Sequence, residues 1–65
     1  MERYTTLIKR SSVNAIQLEK IKVGDLVEDE YGKAGKVANI EKVVRSQEAH
    51  YYFHLDKAGT ILVIL

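Results

Sequence analysis

Residues 49–56 alternate without a break, with Ala49, Tyr51, Phe53 and Leu55 on one face and His50, Tyr52, His54 and Asp56 on the other. A period of two marks a half-buried strand, because successive side chains leave a pleated backbone in opposite directions. Lys57-Ala58-Gly59 then closes a tight hairpin into Thr60–Leu65. This last segment is apolar on both faces, with Ile61, Val63 and Leu65 against Leu62 and Ile64. A chain of 65 residues is read as one domain, residues 1–65. At that size folding buries only about 60% of the surface of the unfolded chain. Zero Cys removes disulfides, thiolate zinc sites and cysteine nucleophiles, and fits a reducing compartment. A single small sheet covers one face of the last strand well. The expectation is that the N-terminal segment or a second subunit buries the other.

The same reasoning maps the remaining chain. Tyr4–Arg10 is rich in β-formers and places Tyr4, Thr6 and Ile8 opposite Thr5, Leu7 and Lys9, which predicts an edge strand. Residues 15–22 read two ways. Ser12 would cap a short helix carrying Ile16 and Lys20, yet Ala15–Leu18 also alternates like a strand, so a short extended or single-turn segment is expected. In Val23–Val27 the Gly24-Asp25 pair supplies a turn or bulge, with Asp25 bonding its own backbone, and Leu26-Val27 opens a strand ending in Glu28-Asp29-Glu30. A loop with Gly32 and Gly35 leads into a long strand, Lys36–Arg45. Its apolar positions Val37, Ile40, Val43 and Val44 do not strictly alternate, which predicts a bulge near Ala38-Asn39. Ser46-Gln47-Glu48 turns the chain. The result is an all-β chain of five to six short antiparallel strands forming a small closed sheet, with one short helical turn near residues 12–20.

Gly24-Asp25-Leu26-Val27 followed by Gly32-Lys33-Ala34-Gly35-Lys36-Val37-Ala38-Asn39-Ile40 resembles the KOW and SH3-like small barrels. There a Gly-Asp turn starts one strand and Gly-x-Val-x-x-Ile begins the next after a glycine loop. The similarity is greatest to short, single-domain KOW-like proteins of bacteria, and it covers Val23 to about Val44. It implies an SH3-like barrel whose last two strands are the hairpin at 49–65. The chain departs from the nucleic-acid-binding members in a shortened loop preceded by Glu28, Asp29 and Glu30, where those carry extra basic residues. Ile21–Val27 is also similar to a strand turn of self-splicing Hint domains, but the nucleophile and the His-Asn pair that those require are not matched.

A net charge of +1 conceals a polarised chain. Arg3, Lys9, Arg10, Lys20 and Lys22 outnumber Glu2 and Glu19 in residues 1–22, whereas Asp25, Glu28, Asp29 and Glu30 outnumber Lys33 in residues 23–35. Glu28-Asp29-Glu30 is expected to be a charged strand edge that discourages strand addition. His50 and His54 on one strand stand about 13 Å apart at ~3.3 Å per residue, too far to grip one ion. His50-Tyr52-His54 instead forms a stripe on which bases could stack, with Arg45 or Lys57 at its ends and Lys33 and Lys36 nearby for phosphate. The competing reading is a half-exposed face packing against cross-strand neighbours. Gly32-x-x-Gly35 lacks the Gly-Lys-Ser of a P-loop, and no triad or carboxylate dyad is assembled.

These features point away from catalysis, metal and cofactor, and towards a binding or assembly module that contacts a protein, RNA or single-stranded DNA. The alternative is a homo-oligomer built through Ile61, Leu62, Val63, Ile64 and Leu65. The start of the chain has no apolar signal-peptide core, and its longest apolar run is Ile61–Leu65, against about twenty residues for a membrane span. The expected setting is cytoplasmic, away from the membrane.

Overall fold

A computed structural model describes residues 4–65; Met1, Glu2 and Arg3, the latter two counted above in the basic first third, lie outside the described residues. Five strands and one helix follow in the order β1 (Thr5–Ile8), α1 (Ala15–Glu19), β2 (Leu26–Asp29), β3 (Ala34–Arg45), β4 (Glu48–Leu55) and β5 (Gly59–Ile64). They form one sheet in the order β1-β2-β3-β4-β5.

The long strand β3 holds the sheet together. Its start pairs with β2 (Leu26 opposite Lys36, Glu28 opposite Ala34), and from Val37 onward it pairs with β4. The ladder slips between Val37 and Asn39, at the bulge expected from the broken alternation. A bulge adds bend and twist, so one strand serves two ladders that turn around a common core. Twelve residues at ~3.3 Å each give about 40 Å, close to the 41 Å long dimension of the molecule. The Gly24-Asp25 turn locks the bend. Gly24 sits at φ +98° and donates to the Val37 carbonyl at 2.8 Å, Val37 donates back to Asp25 at 2.8 Å, and the Asp25 carboxylate accepts from the Lys22 amide at 3.0 Å.

Two expectations are corrected here. The strands are not all antiparallel, since β1 runs parallel to β2 (Thr5 opposite Leu26, Ile8 opposite Asp29). Parallel neighbours need a crossover, and residues 9–25 supply it. Within that crossover the short helical turn expected near residues 12–20 is α1, but its cap is Asn14, not Ser12. Asn14 Oδ1 accepts from the Gln17 amide at 2.9 Å and Gln17 Oε1 accepts from the Asn14 amide at 3.0 Å, a reciprocal capping box. Such a short helix is stable only through packing, and Leu18 provides it at 1% exposure.

Phe53, Ile61 and Val27 at the centre of the core are wholly buried, flanked by Ile8, Leu18, Ile21, Val37, Tyr51, Leu55 and Val63. The alternation of residues 49–55 therefore puts Tyr51, Phe53 and Leu55 inside, as expected. β1 is an edge strand, also as expected, although Ile8 is its sole buried residue. No ladder joins β1 to β5 among the described residues. Arg10, just after β1, reaches the far strand directly: its Nε donates to the Leu62 carbonyl at 2.9 Å.

Candidate functional site

The faces of β3, β4 and β5 turned away from the core form a three-by-three array. Cross-strand register places Val43, His50 and Ile64 in one row, Glu41, Tyr52 and Leu62 in the next, and Asn39, His54 and Thr60 in the third. The two histidines and Tyr52 share this face because they occupy alternate positions of one strand. Most of the array is half-buried; Ile64 is 50% exposed.

Its two histidines are already engaged. His54 Nε2 lies 2.6 Å from Glu41 Oε1 and its Nδ1 lies 2.9 Å from Thr60 Oγ1, so the ring is fixed by a residue on each side. Tyr52 stacks on His54 with centroids 6.3 Å apart and planes within 9°. His50 Nε2 lies 3.1 Å from Glu48. These contacts make Tyr52 and His54 one rigid aromatic surface, flanked by the apolar Leu62, Val43 and Ile64. No group of three or more His, Asp or Glu among the described residues is placed to hold a metal ion.

The basic residues of the stripe divide. Arg45 lies opposite Glu48 at the far end of the β3–β4 hairpin. Lys33, Lys36 and Lys57 converge at the other end of the sheet. Lys33 Nζ donates to the Thr60 carbonyl at 3.2 Å, the Asp56 amide donates to the Lys36 carbonyl at 2.8 Å, and Lys57 occupies the β4–β5 turn at φ +61°. Within the C-terminal run, Ile61 and Val63 are buried in the chain's own core at 0% and 1% exposure. The surface offered there belongs to Leu62, Ile64 and Leu65.

The acidic run does not form an exposed edge, which corrects that expectation. β2 is paired on both sides, and Asp29 is 7% exposed. Its Oδ1 accepts from the Tyr31 and Lys33 amides at 2.9 Å each, and its Oδ2 accepts from Arg10 at 3.2 Å. Burial works to raise the Asp29 pKa, but the two amides and the guanidinium prevail and hold it below the usual carboxylate range. Arg10 also reaches Glu30 at 2.7 Å. A second cluster joins elements far apart in sequence. Glu19 Oε2 accepts from Lys42 Nζ at 2.7 Å and from the Tyr51 hydroxyl at 2.8 Å, with Lys42 lying 5.3 Å from the Tyr51 ring centroid. The Lys42 bond, then the Tyr51 bond, lowers the Glu19 pKa, and the Glu19 bond raises that of Lys42. Sequence reasoning singled out neither cluster. The one available signal was the basic first third preceding an acidic loop, which Arg10 and Asp29 resolve into a contact.

A groove of about 230 Å³ lies between β1 and α1, bounded by Thr6, Leu7, Ile8, Val13, Gln17, Lys20 and Ile21. No helix among the described residues is long and apolar enough to cross a membrane. No family model, curated protein or solved structure matches the chain.

Proposed function

We propose that this chain is a non-catalytic binding module, a KOW-like, SH3-like barrel that presents the outer face of β3–β5 to a protein partner. The observation that carries the reading is the rigid Tyr52–His54 surface flanked by Leu62, Val43 and Ile64. A stacked aromatic pair with an apolar surround is what interface centres favour. Glu41 and Glu48 stand against the two histidines, which disfavours a phosphate-bearing ligand and sets protein ahead of RNA or single-stranded DNA. The test replaces Tyr52 with a photo-crosslinking phenylalanine analogue, uses the exposed Tyr31 as the control position, and irradiates each variant in extract of the source cells. Discrete protein adducts at position 52, absent at position 31 and abolished by Leu62→Glu, are the expected result. RNA adducts, or the same adducts at both positions, would overturn it.

A specific observation also favours self-association through β5. Ala49 and Leu65 exchange both backbone hydrogen bonds, so ladder alternation turns the N–H and C=O groups of Thr60, Leu62 and Ile64 towards the free edge. Arg10 and Lys33 cap the Leu62 and Thr60 carbonyls and leave the Ile64 end uncapped by either cation. On this reading light scattering gives a concentration-dependent dimer that Ile64→Lys converts to monomer. A monomeric mass at millimolar chain concentration retires it.

A further inference from the structure

We propose that the groove between β1 and α1 docks an acidic, extended peptide, which adds a strand to the free edge of β1 and places one apolar side chain in the groove. This site lies at the opposite end of the strand order from the β3–β5 face and does not depend on that reading.

Three observations converge. The first is the shape of the groove. Thr6, Leu7 and Ile8 all line it, and consecutive strand residues point to opposite faces. A groove touching all three therefore borders the strand itself and not one face of it alone. The second is the state of the strand's edge. β1 ladders with β2 on one side and is the terminal strand of the sheet, so its other side offers backbone groups in the spacing that strand addition uses. The opposite wall combines apolar Val13 and Ile21 with Gln17 and Lys20. A cavity of ~150 Å³ accepts benzene, so about 230 Å³ has room for one large apolar side chain.

The third observation is charge. Arg10 is paired with Asp29 and Glu30, and Glu19 with Lys42. That leaves Lys20 on the groove wall, with Lys9 after β1 and Lys22 after α1, in no ion pair among the described residues. Of the neighbouring carboxylates, Asp25 is fixed on the Lys22 amide, and Glu28, opposite Leu7 one strand inward, does not line the groove. The surface is a largely apolar slot beside the terminal strand of the sheet, with the Lys20 ammonium on its wall and Lys9 and Lys22 adjoining the lining residues Ile8 and Ile21 in sequence. An extended segment alternating apolar and acidic residues complements all of it.

The experiment titrates the ¹⁵N-labelled chain with a synthetic octapeptide alternating Leu or Val with Asp or Glu. Its controls are the same peptide with Lys in place of the acids, and the acidic peptide N-methylated at alternate amides. The expected result is amide shifts confined to residues 5–8 and 13–22, affinity about five- to tenfold weaker with Lys20→Glu, and loss of binding on N-methylation, which removes edge hydrogen bonds and keeps the side chains. The Lys20 side chain makes no hydrogen bond among the described residues, and an unchanged thermal transition checks that the variant stays folded. Four results would overturn the proposal: equal binding of the Lys peptide, shifts centred on residues 50–64, no shifts at millimolar peptide, or the same shifts arising without peptide as the chain is concentrated. The last would make the occupant a second copy of the chain. Shifts on residues 50–64 would bear on the other face, so the two readings fail separately.

Discussion

Arg10 donates its Nε hydrogen to the Leu62 carbonyl at 2.9 Å, a contact between residues 52 positions apart that ties the chain after β1 to the edge of β5. The same guanidinium holds Asp29 and Glu30 and lies 5.6 Å from the Tyr31 ring centroid. One side chain thus spans the two ends of the strand order. Replacing it removes a cap on β5 and leaves Asp29 buried without its counter-charge. Arg10→Ala is expected to lower stability by about 1.5–3 kcal/mol in urea unfolding. Arg10→Lys should recover little, because an ammonium cannot fork between a carbonyl and two carboxylates.

Asp29 gives a pH signature with a definite sign. Its folded pKa lies below the usual value of ~3.9, so its contribution is present in full above that value and is lost as pH falls through the folded pKa. Asp29→Asn removes the titration. Wild type should exceed the variant by about 1–3 kcal/mol at pH 7, and the gap should narrow progressively on acidification below the ordinary carboxylate range. A gap that is constant with pH would show that the carboxylate charge is not what Arg10 and the two amides recognise.

The Asn14 capping box is the local determinant of α1. Asn14→Ala should cost about 1 kcal/mol, whereas Asn14→Ser or Asn14→Asp should be near neutral. Ser12→Ala should have no comparable effect. Thermal melts of the four variants separate the two candidate caps.

Two glycines are required for different reasons. An added Cβ at Gly35 would stand 3.2 Å from the Ala58 Cβ and 3.3 Å from the Leu55 Cβ, so Gly35→Ala presses the start of β3 against the β4–β5 hairpin. The cost should be about 1–3 kcal/mol, with Ala58→Gly restoring part of it in a double-mutant cycle. Gly24→Ala meets open space and is penalised through its φ of +98° alone, by about 1–2 kcal/mol. No second-site truncation should rescue it.

On the outer face, Tyr52→Ala combined with Ile64→Ser should leave the chain folded, since neither side chain belongs to the buried core. Far-UV circular dichroism should be preserved while the adducts expected at the β3–β5 face disappear. Phe53→Ala, one residue away and wholly buried, should instead cost about 3–5 kcal/mol. That contrast separates the function of the strand's outer face from the stability supplied by its inner one.

Much of the C-terminal half was legible in the sequence. The alternation of residues 49–55, the hairpin at Lys57–Gly59, the bulge near Asn39 and the Gly24-Asp25 turn are all where local pattern put them. The outward face of His50, Tyr52 and His54 followed from the same period of two. The N-terminal half was less legible. Ala15–Leu18 satisfies both periods, so the capping box and the burial of Leu18 decide for the helix. Asp29 looked like its neighbours Glu28 and Glu30, yet it is the carboxylate that the fold encloses.

Local pattern was enough to mark β1 and the strands after residue 25, the turns between them and the face of β4 that looks inward. Those properties depend on side-chain period and turn chemistry over a few residues. Tertiary packing set the parallel pairing of β1 with β2, the link that Arg10 makes between Asp29 and the edge of β5, and the groove between β1 and α1 with Lys20 on its wall. These depend on which distant segments meet, and such meetings are set by packing around a shared core, which leaves no local pattern in the chain.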